Sequence, residues 1–407
     1  MIEYILENGI KVCYVKRDGN ISSFCIGFDA GALVEDKYEL GLAHAVEHML
    51  FKGTKTRNEY EINKICDEIF GFHNAMTNYP YAIYYGTTLS EDFRSGFEVY
   101  SDIILNPTFP KQGFKEEIDI ILEELKEWKD DPYQECEDEL LFNSFNKRRI
   151  KELIIGNSEN IKKITLNDIE KFYNTNYTPS NCVIGVVSSM SFDKVLSVIE
   201  DCFGSWRRSY SFKKCNLYED NNEGIFYKTK QDLNGAKIQY CFPIHFLSDD
   251  EIKLLKIFNF KFGEGTSSIL YDNIRTKNGL AYDIGSAIKN ESGIKLFTIR
   301  MGTSTENINK SIELINRNID SAVTAKDVFK EENIKNIIKG IELKNELSVE
   351  KSIELCKKIT TQKIMFDSTR DTFDEFSNYK DINESKILNV INKVLRKPSI
   401  QVLKPEE

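Results

Sequence analysis

The run His44-Ala45-Val46-Glu47-His48 constrains this chain more than any other segment, because only a helical backbone brings its two imidazoles and its carboxylate onto one face. At about 100° per residue, His44 and His48 stand one turn apart with Glu47 beside them. Neutral imidazole is a preferred zinc ligand, and a carboxylate next to a metal-activated water can take its proton. The segment therefore carries parts of a zinc hydrolase. The competing reading is two helix-face histidines beside a solvated glutamate. The chain has only four histidines in 407 residues, so two at this spacing favour the metal.

Two imidazoles leave zinc short of protein ligands, so a third must come from elsewhere in the chain. The segment from Gly113 to Asp131 has apolar residues at helical spacing, namely Ile118, Ile121, Leu122, Leu125 and Trp128. On a helical wheel these define a buried stripe. Glu117 and Glu124 are seven residues apart, about 20° from eclipsed, and both lie at the stripe's edge, whereas Glu123 and Lys126 point away. An acidic amphipathic helix with solvated carboxylates would show the same composition; the nearby pair of histidines weighs against it.

The run from Gly41 to Thr54, GLAHAVEHMLFKGT, contains the H-x-x-E-H pattern of inverted zinc peptidases. It resembles the signature of the pitrilysin and mitochondrial-processing-peptidase family of zinc metallopeptidases. That family places its third ligand on a downstream helix in an E-x6-E pattern, which matches Glu117 and Glu124. The resemblance implies that Glu124 binds zinc and that Glu117 orients a ligand histidine. A second segment, from Gly263 to Tyr282, resembles the family's C-terminal-domain motif, whose Arg and Tyr map onto Arg275 and Tyr282. A guanidinium can hold a peptide carbonyl, and a phenol can donate to a developing oxyanion. The stretch Asn74-Ala75-Met76-Thr77 resembles the edge strand on which the family lays its substrate, where unpaired backbone groups bind an extended peptide. The chain departs from the family pattern at Phe70, where a glycine is usual, at His73, where no ligand occurs, and at Glu264, which replaces a common glycine.

Length and composition suit an enzyme of two domains. Hydrophobic residues make up 41% of the chain, with 26 Phe and 19 Tyr, enough to fill more than one core. The net charge of -10 argues against nucleic acid or an anionic membrane as partner and is compatible with basic peptides. No apolar stretch is long enough to span a bilayer, and no secretion signal is visible at the start. Nine cysteines without a C-x-x-C pair cannot form a complete intrachain disulfide set, so reduced thiols and a cytoplasmic location are expected.

Strand-like runs at residues 10–15, 23–28 and 181–188 alternate with helical patterns near 59–69, 90–105, 114–128 and 191–202. A polar connector over 205–223 follows, including the basic residues Arg207, Arg208, Lys213 and Lys214. The order then repeats, with strands near 236–242 and 294–301 and a helix near 249–262. The fold expected is α+β, with two similar domains, 1–204 and 224–407, each an antiparallel sheet with helices packed on one face. The first carries the zinc motif and the second the Arg/Tyr motif.

The function expected is a zinc-dependent endopeptidase with one zinc per chain, acting on unstructured peptides or a leader peptide, with Glu47 as general base. The resemblance further implies a homodimer in which Arg275 and Tyr282 of one subunit complete the zinc site of the other, a heterodimer being the alternative. Two other readings stay open: a noncatalytic peptide-binding or structural subunit, and a processing peptidase that needs a partner subunit.

Overall fold

A computed structural model describes residues 1–209, 217–324, 328–373, 375–376 and 381–406. Lys213, Lys214 and Cys215 lie outside them. The strands are β1 (Ile2–Ile5), β2 (Lys11–Lys16), β3 (Ile21–Phe28), β4 (Phe70–Thr77), β5 (Ala82–Leu89), β6 (Cys182–Ser188), β7 (Gly224–Lys230), β8 (Ala236–Pro243), β9 (Asp283–Lys289), β10 (Leu296–Thr303) and β11 (Ser399–Pro405). The first eight helices are α1 (Leu42–Leu50), α2 (Glu59–Ile69), α3 (Phe93–Leu105), α4 (Lys111–Trp128), α5 (Pro132–Ser144), α6 (Ser158–Lys163), α7 (Leu166–Asn176) and α8 (Phe192–Phe203). They are followed by α9 (Asp249–Gly263), α10 (Ile308–Thr324), α11 (Glu331–Ser348), α12 (Ser352–Phe366), a single turn α13 (Arg370–Phe373) and α14 (Glu384–Val394). Capping boxes start three of them: Asn58 with Glu61 at α2, Thr165 with Asp168 at α7, and Ser248 with Glu251 at α9. Each satisfies orphan N–H groups of the first turn and contributes about 1 kcal/mol.

Among the described residues, those of 1–125, 153–216 and 346–373 form one compact unit, and those of 126–152, 217–345 and 374–407 form the other. The first holds a six-stranded sheet in the order β1-β2-β6-β3-β5-β4, and the second a five-stranded sheet in the order β7-β11-β8-β10-β9. Leaving out β1, the two orders are equivalent, and each contains one parallel pair, β2 with β6 and β7 with β11. The expected pair of similar α+β units is therefore present, with mixed rather than purely antiparallel sheets. The boundaries drawn on the sequence at 204 and 224 follow chain order, whereas each compact unit also takes in one segment from the other half of the chain.

That segment explains the second face of each sheet. In the first unit, one face packs on a core that includes Val46, Met49, Phe97, Ile121 and Phe172. The opposite face, with Cys13, Cys25, Ile83 and Val187, packs on Leu355, Cys356 and Ile359 of α12. Burial on both faces is why β3 and β6 read as near-continuous apolar runs rather than alternating ones. Gly185 permits the close approach, since a Cβ there would stand 2.2 Å from Thr360 Oγ1. In the second unit, α5 packs in the same way on β8 and β11. Among the described residues, no helix is long and apolar enough to cross a membrane, and the eight described cysteines are free.

Candidate metal centre

The start of α1 is fixed before its ligands matter. Gly41 has φ 93°, in the left-handed region, and a Cβ there would lie 2.2 Å from the carbonyl oxygen of Ile155. The buried Glu35 carboxylate accepts the N–H groups of Gly41 at 3.3 Å and Ala43 at 2.8 Å. Its negative charge meets the positive end of the helix and satisfies two orphan donors. Leu42, Ala45, Val46 and Met49 are buried in the core, which leaves the face with His44 and His48 turned to α4. Beyond α1, Asp102 holds the exit loop: its Oδ2 accepts from Thr54 Oγ1 at 2.6 Å, Thr56 Oγ1 at 2.7 Å and Arg57 Nη1 at 2.6 Å.

On α4, the wheel's choice of glutamates matches the packing. Glu117 is buried, Glu124 is half-buried and Glu123 is exposed. His44 Nε2, His48 Nε2 and Glu124 Oε2 form a triangle with sides of 3.3, 3.5 and 3.7 Å. Donors held tetrahedrally at about 2.0–2.2 Å from a zinc ion are about 3.3–3.6 Å apart, so the donor set fits that ion in both type and spacing. Among the described residues, this is the cluster of three able to hold a metal. Among the described residues, the buried His44 Nδ1 has no hydrogen-bond partner, so this ring is not held from behind by a carboxylate as His48 is.

His48 is held from behind. Its Nδ1 lies 2.7 Å from Glu117 Oε2, and an N–H there donates to the carboxylate and leaves the Nε2 lone pair facing the triangle. Without a metal, burial opposes charge on this imidazole, but the Glu117 and Glu124 carboxylates outweigh it and raise His48 to about 9, so a metal ion binding at Nε2 displaces a proton. Burial and the neighbouring His48 push His44 the other way, well below its ordinary value. Glu117 in turn meets Lys52 Nζ at 2.5 Å, and Lys52 meets Glu59 at 2.7 Å. Against the cost of burial, His48 and Lys52 keep the Glu117 carboxyl below the ordinary carboxylate range.

Glu47 sits beside the triangle and outside it. Burial pushes its carboxyl up to about 7, partly countered by a hydrogen bond donated by Thr77 Oγ1 and by the charge of His48. A carboxyl titrating near neutrality can accept and return a proton in one cycle. Thr77 ends β4, the edge strand of its sheet.

Comparison with known proteins agrees with this geometry. Residues 11–158 match the family described as insulinase (peptidase family M16), and residues 163–341 match the family described as the peptidase M16 inactive domain. The chain belongs to peptidase family M16. An "uncharacterized zinc protease" of Rickettsia felis is 29% identical over 327 residues, covering 78% of this chain and 76% of its own. The "uncharacterized zinc protease YmxG" of Bacillus subtilis is 26% identical over 343 residues, covering 83% and 82%. A crystal structure of a protease from Helicobacter pylori shares the fold, with a TM-score of 0.88, 20% identity and 99% of each chain covered. The M16 fold with its His-His-Glu cluster is thus established here.

The other expected site residues have the following places in this M16 chain. Asn74, Ala75, Met76 and Thr77 all lie in β4, paired to β5 from Asn74↔Tyr85 to Thr77↔Ala82. Ala75 and Thr77 are half-buried, while Asn74 and Met76 are exposed. Phe70, standing where the family has glycine, fills the space above Gly86 and Gly96, where added Cβ atoms would lie 2.4 and 3.0 Å from its ring. His73 Nδ1 lies 3.2 Å from the Tyr100 hydroxyl and is not in the metal cluster. In the second unit, Arg275 belongs to a π-helical turn, Tyr271–Thr276, with its guanidinium 4.9 Å over the Tyr271 ring. Tyr282 is 67% exposed. Glu264 accepts from Asn259 and pairs with Lys344. Sequence reasoning assigned no role to Lys52, Glu35 or Asp102; the signal available for Lys52 was its place inside the GLAHAVEHMLFKGT run.

Proposed function

We propose that this chain is a zinc-dependent endopeptidase that cleaves unstructured peptides or a leader peptide. The observation that carries the reading is the His44, His48 and Glu124 triangle, sized for zinc, with the Glu47 carboxyl next to it and not part of it. A zinc ion held by these three residues supplies a Lewis acid and lowers the pKa of water toward neutrality. Glu47 then takes a proton from the attacking water and passes it to the leaving amine. Thr77 holds Glu47 in place for that transfer, and Glu117 orients His48. The open edge of β4 at residues 74–77 binds the substrate backbone, which gives affinity with little demand on sequence. Arg275 and Tyr282 hold the substrate and donate to the oxyanion, and two copies of the chain pair to form the working enzyme.

The test is mass spectrometry of a mixture of unstructured peptides incubated with the zinc-loaded protein, beside Glu47→Gln and a chelated sample. Cleavage lost in both controls is the expected result. Equal cleavage in all three samples would refute the assignment, and no cleavage at full zinc occupancy would favour a noncatalytic subunit.

A further inference from the structure

We infer that Lys52 is a positioning residue for the metal centre, acting through Glu117 on His48, and that Glu59 anchors it there. The inference rests on reading His44, His48 and Glu124 as zinc ligands.

The geometry is a relay of four side chains. His48 Nδ1 meets Glu117 Oε2 at 2.7 Å, Glu117 Oε1 meets Lys52 Nζ at 2.5 Å, and Lys52 Nζ meets Glu59 Oε1 at 2.7 Å. Each Glu117 oxygen therefore has its own partner, the His48 Nδ1–H or the Lys52 ammonium, and the carboxylate plane is held from both ends. The Lys52 side chain is only 11% exposed, an unusual position for an ammonium unless its charge is used. Its stem runs past Gly113 on α4, where an added Cβ would lie 3.4 Å from Lys52 Cγ and Cδ. The lysine stem thus packs against α4 at Gly113 on its way to Glu117.

Two effects of removing the lysine oppose each other. Glu117 would lose one of its two fixed hydrogen bonds and could turn away from His48, which weakens metal binding. A positive charge would also leave the neighbourhood, which strengthens it. The lysine's charge reaches the metal only across Glu117 and the His48 ring, whereas a turned Glu117 forfeits the outer hydrogen bond to a ligand histidine, a loss of about 10- to 100-fold in metal affinity. The orientation effect should win.

The experiment is zinc affinity by chelator competition on the full chain, for wild type, Lys52→Met, Lys52→Arg and Glu117→Gln, with apo-protein melting measured alongside. The expected result is a loss of up to about tenfold for Lys52→Met, which touches the histidine only through Glu117, a smaller loss for Lys52→Arg, and a larger loss for Glu117→Gln, the direct partner. The apo melting of Lys52→Arg staying near wild type would separate metal positioning from folding. Unchanged or tighter zinc binding in Lys52→Met, with Glu117→Gln weakened, would overturn the role of Lys52 and leave the ligand assignment standing. A wild-type chain that binds no zinc would overturn both. Should Lys52→Met fail to fold, Glu59→Gln tests the same relay from its far end, with weaker zinc binding supporting it and wild-type affinity overturning it.

Discussion

The Thr77 hydroxyl, at the last residue of edge strand β4, donates a hydrogen bond to the Glu47 carboxylate on α1. One strand thus both carries the residues proposed to bind substrate backbone and holds the group proposed as base. A hydrogen bond to a charged group contributes about 1.5–3 kcal/mol, so Thr77→Val should lower kcat by about 10- to 100-fold while zinc content stays stoichiometric. Thr77→Ser keeps the hydroxyl and should recover most of the rate. A valine variant as fast as wild type would show that packing alone places Glu47.

Glu47→Gln separates chemistry from metal binding. The amide keeps the shape and the hydrogen bond from Thr77 but cannot take a proton, and general acid–base catalysis contributes about 10²- to 10⁴-fold. Turnover should fall by that order while zinc, measured by elemental analysis, remains at one per chain. Loss of the metal in this variant would instead place Glu47 among the ligands.

The choice between adjacent glutamates on α4 is tested by zinc content. Glu124 Oε2 lies 3.7 Å from His44 Nε2 and 3.5 Å from His48 Nε2, while Glu123 is exposed. Glu124→Ala should lose most bound zinc after dialysis against a weak chelator, and Glu123→Ala should retain it. Stoichiometric zinc in Glu124→Ala would mean that another side chain closes the ligand set.

Much of this centre is legible from spacing alone, because His44, Glu47 and His48 share one helix and Glu117 and Glu124 share one stripe of another. Contacts made only by tertiary approach are not. Nothing local marks Thr77 as a partner of Glu47, 30 residues away, or Lys52 as a partner of Glu117. The space filled by Phe70 depends on Gly86 and Gly96, which meet it only through strand pairing and α3 packing. The helices seen in the sequence are found within a few residues at α2, α3, α4, α8 and α9. Which sheet a helix covers is a different question. An apolar face on α5 or α12 does not reveal that each packs on the sheet of the other chain half, since either sheet could bury it. Strands β7 and β9 also escape the pattern search, because charged and small residues interrupt their alternation.

The loop leaving α1 should give the protein a measurable acid sensitivity. Burial opposes ionisation of Asp102, but hydrogen bonds from Thr54, Thr56, Asn106 and Arg57 prevail and hold its carboxyl below the ordinary value. A folded-state pKa below the unfolded one stabilises the protein fully above the unfolded value, about 3.9, and the contribution is lost as pH falls through the folded value. Asp102→Asn should therefore cost about 1–3 kcal/mol at pH 7. The gap between wild type and variant should stay constant down to about pH 5 and close below about pH 4. Urea unfolding across that range, on chelated protein so that metal release does not contribute, measures it directly. A gap that persists unchanged to the lowest pH would show that the Asp102 carboxylate's charge is not what holds the loop.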